Sequence, residues 1–204
     1  MNNELSRESI AIVGSGYLGT VVAACFASVG HRVVGVESDP RKLAQLGAGH
    51  APFPEPGLDD LLASTLDSGK LTFTADLAAA TRECEIVFLC VGTPAGPDGQ
   101  VDLSALATAG RVIGENSHPG LIIVTKSTVP VGTGRWLQSL IEDQIAINGR
   151  APTFSIVSNP EFLREGSAVQ DFFHPDRIVV GGDDGQACQR VIDMHQPIIC
   201  PDGP

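Results

Sequence analysis

The sequence predicts an α/β domain with a doubly wound, mostly parallel sheet and helices on both faces. Short apolar runs of strand length alternate along the chain with longer segments in which apolar residues recur at helical spacing. The first apolar run leads directly into three closely spaced glycines, and the second ends at an acidic residue. This order is typical of a βαβ unit, and 204 residues suit one large domain, or one and a half.

The glycine pattern lies between the first predicted strand and the first predicted helix. Residues 10–13 form an apolar run short enough for a buried strand, and residues 18–29 follow with a helical pattern that Gly30 can end. The first glycine of a G-x-G-x-x-G motif makes a tight turn, the second lets the backbone approach a pyrophosphate, and the third lets the helix pack against the strand. The pyrophosphate then lies at the helix N-terminus, where N–H groups favour negative charge. The three glycines here are Gly14, Gly16 and Gly19.

An acidic residue follows the second predicted strand, Arg32–Val36. Glu37 lies 18 residues after Gly19, close to the ~20 expected for an acid that binds both ribose hydroxyls. Because a carboxylate repels a 2′-phosphate, the pattern favours NAD over NADP. The alternative is a glycine-rich turn in an ordinary α/β protein. The presence of the strand, the helix, the second strand and the acid around the motif argues against that alternative.

The next helix is predicted after Ser38 or Asp39, either of which can cap it, with Pro40 at its first position. Arg41 and Lys42 are then within reach of the adenosine half of a dinucleotide, or lie on a solvated helix face. Prolines 52, 54 and 56 fix an extended segment that either borders a site or simply connects two elements.

The remaining elements follow from periodicity and from turn residues. Further helices are predicted at residues 58–66, 76–82, 103–116, 134–147 with Thr133 as cap, and about 186–195. Further strands are predicted at residues 71–74, 86–91, 121–125, 154–158 and 178–180.

Polar residues follow three of these strands, where open α/β sheets bind their ligands. Thr93 follows the fourth strand and is placed to contact the cofactor, and a polar cluster at residues 126–133 follows the fifth. After the sixth strand, Glu161 and Glu165 share a face if the turn is helical, and they could then act as acid, base or water-orienting groups. Arg164 could bind a phosphate or a carboxylate. The alternative is a solvated, salt-bridged loop.

Composition excludes several classes of protein. A net charge of −11 argues against nucleic acid and anionic membranes as general partners, so an anionic ligand needs a local positive site. The chain has no run of about 18 apolar residues, and residues 1–8 read as a polar, disordered leader. The five cysteines show no metal-binding spacing; they are Cys25, Cys84, Cys90, Cys188 and Cys200. Cys25, on the first predicted helix, and Cys90, at the end of an apolar strand, are expected to be buried thiols in a reducing cytoplasm.

Several motifs in fixed order resemble one enzyme family. They are GSGYLG, FPEPGL, VGTP, VDLS, KSTVPVGT, NPEFLREGSA and DFFHPDRIVVGG, and they span about residues 9–199. Together they resemble the N-terminal NAD-binding domain of the UDP-glucose/GDP-mannose dehydrogenase family, and NPEFLREG with PDRIVVGG is most similar to its UDP-glucose 6-dehydrogenase branch. The resemblance implies a domain over residues 9–199, with residues 200–204 as a truncated tail before an absent second domain.

The resemblance also implies a reaction. The family oxidises the C6 hydroxyl of a nucleotide sugar to a carboxylate with two NAD⁺, through a covalent stage on a cysteine of the second domain, and the full-length parent is expected to be a cytoplasmic homodimer. This chain is expected to be the cofactor half and to be inactive alone. The alternatives are a stand-alone NAD-binding module and a dehydrogenase of GDP-mannose, dTDP-glucose or UDP-N-acetylmannosamine.

Site residues follow from the resemblance motif by motif. The pyrophosphate loop comprises Gly14, Gly16, Tyr17, Leu18 and Gly19. Further cofactor contacts are expected from Glu37, where the family usually has Asp, and from Lys42, Thr93, Thr128 and Glu165. Thr128, near the catalytic water, and Glu161, which assists hydrolysis or proton transfer, are the expected catalytic residues. The sugar nucleotide is expected to contact Glu161, Phe162, Leu163, Arg164 and Glu165.

Overall fold

The computed structural model describes residues 7–96, 99–151 and 153–199, and in these ranges the chain forms six strands and nine helices. The strands are β1 (Ser9–Val13), β2 (Arg32–Val36), β3 (Leu71–Thr74), β4 (Ile86–Leu89), β5 (Leu121–Thr125) and β6 (Phe154–Ser158). The helices are α1 (Tyr17–Ser28), α2 (Pro40–Gly47), α3 (Leu58–Asp67), α4 (Leu77–Glu83), α5 (Ser104–Asn116), α6 (Thr133–Ile147), α7 (Ala168–Phe173), α8 (Gly185–Asp193) and α9 (Gln196–Ile199).

The six strands form a parallel sheet in the order β3-β2-β1-β4-β5-β6. The order reverses between β1 and β4, which are neighbours in the sheet but far apart in the chain. Ligands of open α/β sheets bind outside the carboxyl ends of the strands at such a reversal. The predicted doubly wound fold is therefore confirmed, and its topology puts the candidate site beyond β1, β4, β5 and β6.

Alternate residues of each strand enter two apolar cores, one on each face of the sheet. Ile10 and Ile12 of β1 pack into the core that α1, α3, α7 and α8 cover, whereas Ala11 and Val13 pack into the core under α4, α5 and α6. Because both faces are buried, the central strands read as continuous apolar runs rather than alternating ones. No helix within the described ranges is long and apolar enough to cross a membrane.

Two predicted features near the end of the sheet are wrong. Residues 178–180 are not a strand. Among the described residues, the chain here meets β6 through one antiparallel bridge, between Ser158, the last residue of β6, and Gly181, so no ladder of strand hydrogen bonds forms. Thr133 is not the cap of α6 but its first residue, since Gly132 (φ +91°) takes the cap position. The Thr133 hydroxyl instead donates to the carbonyl of Pro130 at 2.8 Å.

The predicted leader and tail lie largely outside the described residues, which exclude residues 1–6 and 200–204. Glu8 is the exception, because it belongs to the folded domain. Its backbone N–H donates to His31 Nδ1 at 3.1 Å, and its buried carboxylate pairs with Arg190 of α8. Burial without such partners would be costly for a carboxylate, so α8 holds the start of the sheet in place.

Candidate functional site

The glycine loop, residues 14–19, has the shape that an approaching pyrophosphate requires. A Cβ on Gly19 would lie 1.8 Å from the carbonyl oxygen of Gly14, so α1 packs too closely for any side chain there. Gly14 has φ +93°, a conformation that glycine adopts without strain. A Cβ on Gly16 would meet nothing within 4 Å, so the approach to the first turn of α1 is open. These features fit a dinucleotide, whose pyrophosphate the N–H groups of that turn would hold.

Hydrogen bonds fix the glycine loop to the end of β2. The N–H of Gly14 and the hydroxyl of Ser15 both donate to the carbonyl of Val36, at 3.0 and 3.2 Å. Thr20 of α1 donates its hydroxyl to the carbonyl of Ser15 at 3.0 Å. The loop is therefore set by backbone geometry and two buried hydroxyls, and the sequence motif alone predicted its position.

Glu37 directly follows β2 and is 8% exposed. It therefore lies next to Val36, the residue to which the glycine loop is hydrogen-bonded. Its Oε1 accepts the N–H of Asp39 at 2.8 Å, which orients the carboxylate. Asp39, not Ser38, caps α2 by accepting the N–H of Arg41, and it pairs with the Arg41 guanidinium at 3.6 Å. Lys42 is exposed in the first turn of α2.

The ends of β4 and β5 are tied together. The hydroxyl of Thr93 donates to the carbonyl of Thr128 at 2.8 Å, and Ser127 donates to the carbonyl of Val91 at 2.6 Å. Thr93 and Thr128 were each expected beside the cofactor, and the structure brings these two loops together. Thr128 is exposed and Thr93 half-buried, so both are reachable from solvent.

The segment after β6, residues 159–181, is anchored by a buried lysine. Lys126, 6% exposed at the end of β5, donates from Nζ to Asn159 Oδ1 at 3.1 Å. Asn159 in turn donates from Nδ2 to the carbonyl of Val179 at 2.9 Å. Burial lowers the pKa of the Lys126 ammonium, whereas the nearby carboxylate of Glu161 favours its charged form. This network fixes the direction in which the chain leaves the sheet.

Glu161 and Glu165 do not share a helical face, because residues 161–164 form no regular structure. Glu161 Oε2 accepts the N–H of Leu163 at 2.8 Å, and its charge acts on Lys126. Glu165 is exposed, and its charge acts on Tyr17. The two carboxylates therefore belong to different surroundings, one beside a buried ammonium and the other beside the glycine loop.

Arg164 is held by an acid that the sequence did not single out. Its Nε and Nη2 donate to the two carboxylate oxygens of Asp171, at 3.0 and 2.6 Å. The hydrogen bond from Arg164 holds the pKa of Asp171 at about 2. Phe162, 44% exposed, carries the guanidinium of Arg177 at 4.6 Å from its ring centroid. In this segment, Arg164 is therefore paired with a carboxylate, and Arg177 stacks on an aromatic ring.

A cavity of about 100 Å³ lies beneath this segment. Its wall combines the predicted substrate residues with groups from β5, β6 and the α8–α9 connection, among them Lys126, Asn159, Phe162, Arg164, Arg177 and His195. Three cations, Lys126, Arg164 and Arg177, and two carboxylates, Asp171 and Asp176, line it, and Asp171 is bound to Arg164.

Three buried cysteines are poorly suited to nucleophilic chemistry. Burial raises the pKa of Cys84 to about 11 and that of Cys90 to about 12, and it raises the pKa of Cys25 further. A thiolate, not a thiol, is the nucleophile, so these three side chains remain inert at neutral pH. None of these three thiols therefore supplies a nucleophile.

Three neighbours of the site were not singled out from the sequence: Glu55, Asn159 and Asp171. Lys126 belonged to the predicted polar cluster at residues 126–133 but was given no role of its own. Asn159 directly follows β6, and that position at the end of a strand was an available signal. Glu55 lies in the proline-rich segment, which the sequence predicted to be extended and either to border a site or to connect two elements. Asp171 gave no signal, because its role depends on a turn that brings it back to Arg164.

Comparison with known proteins identifies relatives of this chain. A family model described as the UDP-glucose/GDP-mannose dehydrogenase family, NAD binding domain, matches residues 8–199. UDP-glucose 6-dehydrogenase of Pseudomonas aeruginosa is 42% identical over 190 residues, which cover 93% of this chain and 42% of that protein. The chain spans about two fifths of the length of the curated relatives it matches.

Two solved structures extend the comparison. A UDP-glucose dehydrogenase from Pyrobaculum islandicum superimposes with a TM-score of 0.87 at 38% identity, over 100% of this chain and 46% of that one. A ternary complex of GDP-mannose dehydrogenase from Pseudomonas aeruginosa also gives a TM-score of 0.87, at 35% identity, over 93% of this chain and 44% of that one. The fold is thus shared by relatives named for two different sugar nucleotides.

Proposed function

Because this chain belongs to the UDP-glucose/GDP-mannose dehydrogenase family, as its NAD-binding domain, we propose that it is the cofactor half of an enzyme that oxidises UDP-glucose to UDP-glucuronate. The observation that carries this proposal is the glycine loop, open at Gly16 and closed at Gly19, followed by the acid Glu37. When bound, NAD⁺ accepts a hydride in each of the two oxidations that convert the C6 hydroxyl to a carboxylate.

Within this proposal the described residues form two groups, one that binds the cofactor and one that binds the sugar nucleotide, and Thr128 and Glu165 belong to both. The glycine loop, including Tyr17 and Leu18, binds the pyrophosphate, Glu37 binds the adenosine ribose, and Lys42 lies near the adenosine. Thr93 and Thr128, after β4 and β5, and Glu165, in the segment after the edge strand β6, contact the cofactor. The second group orients the sugar nucleotide and the attacking water: Thr128, Glu161, Phe162, Leu163, Arg164 and Glu165.

Glu161 is the proposed proton acceptor and water-orienting group. In each oxidation the hydride leaves carbon with its electron pair and a hydroxyl proton must leave as well, so a general base close to the reacting hydroxyl or water is needed, and a carboxylate can serve. Glu161 is half-buried, and its Oε2 is held by the N–H of Leu163. Such orientation favours a fixed general base over a mobile surface acid.

A second candidate is an NAD-binding module without turnover, and the buried cysteines favour it for this chain alone. The covalent stage that the family resemblance implies needs a reactive thiolate, whereas burial keeps Cys25, Cys84 and Cys90 protonated. We expect the purified chain to produce no steady NADH from UDP-glucose. GDP-mannose, dTDP-glucose and UDP-N-acetylmannosamine are alternative substrates of the parent enzyme, which we propose to be a cytoplasmic homodimer that binds no nucleic acid.

The test is calorimetric titration of the chain with NAD⁺ and with NADP⁺. We expect saturable binding of NAD⁺ and binding of NADP⁺ weaker by at least about tenfold, or 1.4 kcal/mol. Glu37→Ala should weaken NAD⁺ binding and narrow that difference, while Glu115→Ala, which removes an exposed carboxylate on α5, should change neither. Equal affinity for both nucleotides, or an unchanged affinity in Glu37→Ala, would contradict the ribose role.

A further inference from the structure

Glu55 is a buried carboxylate in the proline-rich segment that precedes α3. It is 9% exposed, and the sequence assigned it no function beyond lying between two prolines. A buried carboxylate is costly unless hydrogen-bond donors surround it. Its donors therefore indicate what the segment holds in place.

One donor comes from the glycine loop. The hydroxyl of Tyr17 donates to Glu55 Oε2, and the Tyr17 ring packs against Phe53 with centroids 4.8 Å apart. Tyr17 is the first residue of α1, so its backbone N–H is among those with no partner inside the helix. The same residue thus has its backbone at the proposed pyrophosphate position and its hydroxyl on Glu55.

Two other donors come from the segment after β6. The N–H of Gly166 lies 2.9 Å from Glu55 Oε2 and 2.9 Å from the Tyr17 hydroxyl oxygen. The N–H of Val169 donates to Glu55 Oε1 at 3.3 Å. Both carboxylate oxygens are therefore used, and they fix the chain directly after the proposed substrate residues 161–165.

The chemistry suits a rigid link. Hydrogen bonds to an ionised carboxylate are roughly twice as strong as bonds between neutral groups. Burial raises the pKa of Tyr17 to about 12, with Glu55 adding to the effect, so the phenol keeps its proton throughout the physiological range. Gly166 has φ +85°, which lets the backbone turn its N–H toward both acceptors.

We propose that Glu55 is a positioning residue that couples the glycine loop to residues 161–169. Bound NAD⁺ orders Tyr17 and, through Glu55, holds Gly166 and Val169 in place. By linkage, a sugar nucleotide bound at residues 161–165 raises the affinity for NAD⁺ by the same factor. The inference rests on the proposed function, because it requires that NAD⁺ binds at the glycine loop.

Amide hydrogen exchange of the whole chain, with and without saturating NAD⁺, tests this coupling. Three variants are compared with the native chain after calorimetry has set the NAD⁺ concentration for each. Glu55→Gln keeps the size but offers only one acceptor oxygen, and Tyr17→Phe removes the hydroxyl alone. Asp59→Asn is the matched control, since it is an acid-to-amide change at an exposed carboxylate in the first turn of α3, which accepts the N–H of Ala51.

We expect NAD⁺ to slow exchange at Gly166 and Val169 about tenfold in the native chain and in Asp59→Asn, within the range typical of coupled sites. In Glu55→Gln and Tyr17→Phe the slowing should fall to about twofold or less. A role in folded stability alone would change exchange equally with and without NAD⁺. If Glu55→Gln fails to fold, the Tyr17→Phe result at Val169 decides, because the Val169 N–H contacts Glu55, whereas the Gly166 N–H contacts both Glu55 and the Tyr17 hydroxyl.

Other outcomes overturn the inference in distinguishable ways. Undiminished slowing in either test variant would show that the link carries no coupling, while leaving the proposed function intact. Loss of slowing in Asp59→Asn as well would indicate a general effect of the loop rather than one of Glu55. Failure of the native chain to bind NAD⁺ would overturn the proposed function and the inference with it.

Discussion

The glycine loop and the segment after β6 build neighbouring parts of one site by different means. The glycine loop is shaped by backbone, with a turn that only glycine fits at Gly14 and a contact at Gly19 that excludes any side chain. The segment after β6 has little regular structure and is held by side chains from distant parts of the chain, above all Lys126 and Glu55. Backbone-built sites are visible as local sequence motifs, whereas side-chain-built sites depend on long-range contacts.

The largest effect should come from breaking the glycine loop with Gly19→Ala. The new Cβ would lie 1.8 Å from a backbone oxygen, which cannot move without displacing the turn between β1 and α1. We expect a loss of more than about 3 kcal/mol of unfolding free energy, at or beyond the upper end for overpacked sites, together with loss of NAD⁺ binding. Urea denaturation and calorimetry measure these two quantities.

Gly16→Ala is the control for that variant, because its Cβ would meet no atom within 4 Å. It should fold with nearly native stability. Its affinity for NAD⁺ should nevertheless be lower than that of the native chain, since the methyl group would occupy the approach to the pyrophosphate. Equal stability of Gly19→Ala and Gly16→Ala would contradict the packing argument.

The second effect concerns the anchor of the segment after β6. Asn159→Ala removes the acceptor of Lys126 and the donor to Val179, and it leaves a buried ammonium without that partner. Since unsatisfied buried polar groups cost about 1–3 kcal/mol each, we expect a loss of about 2–3 kcal/mol. Urea denaturation gives this value, and hydrogen exchange should show the loosening confined to residues 159–181. Uniform loosening that includes the glycine loop would mean that the two regions are not separately held.

The third effect is a pH dependence at His195, which lies between α8 and α9 and lines the cavity beneath the segment after β6. Burial lowers the pKa of His195 from 6.5 to about 4, and its ring packs on Phe26 of α1. Between these two values His195 is protonated in the unfolded chain and neutral in the folded chain. The free energy of unfolding therefore falls as the pH drops from about 6.5 through about 4. Between about pH 7.5 and pH 5 we expect His195 to account for a loss of about 2 kcal/mol.

His195→Phe keeps an aromatic ring against Phe26 and removes the titration. Urea denaturation at the two pH values should show a smaller loss than in the native chain, with a remainder from His31, whose pKa burial also lowers. A slope equal to the native one in His195→Phe would contradict this assignment.

The smallest effect should come from Asp171→Asn. The hydrogen bond from Arg164 holds the pKa of Asp171 at about 2, so this stabilisation is present above the ordinary value of 3.8 and is lost as the pH falls through about 2. The Arg164 side chain is 78% exposed, and solvent screening limits the pair to less than about 1 kcal/mol. Thermal unfolding at neutral pH should show a small decrease, and a large one would mean that Arg164 also supports the fold.

Prediction from sequence succeeded where the signal was local. The alternation of apolar runs and helical patterns gave the parallel sheet, and the glycine spacing with Glu37 gave the βαβ unit. The expected strand at residues 178–180 failed because an apolar run cannot tell whether a partner strand continues beside it. The helical face expected for Glu161 and Glu165 failed because their surroundings, Lys126 and Tyr17, come from other elements.

The sequence by itself determined the fold class, the glycine loop and the acid that follows β2, because each depends on residues close together in the chain and on backbone geometry. Only the tertiary structure decided which side chains hold the segment after β6. Glu55 lies 111 residues from Gly166, and Lys126 lies 33 residues from Asn159. Such contacts form only after the sheet has brought the ends of its strands together, so no local pattern encodes them.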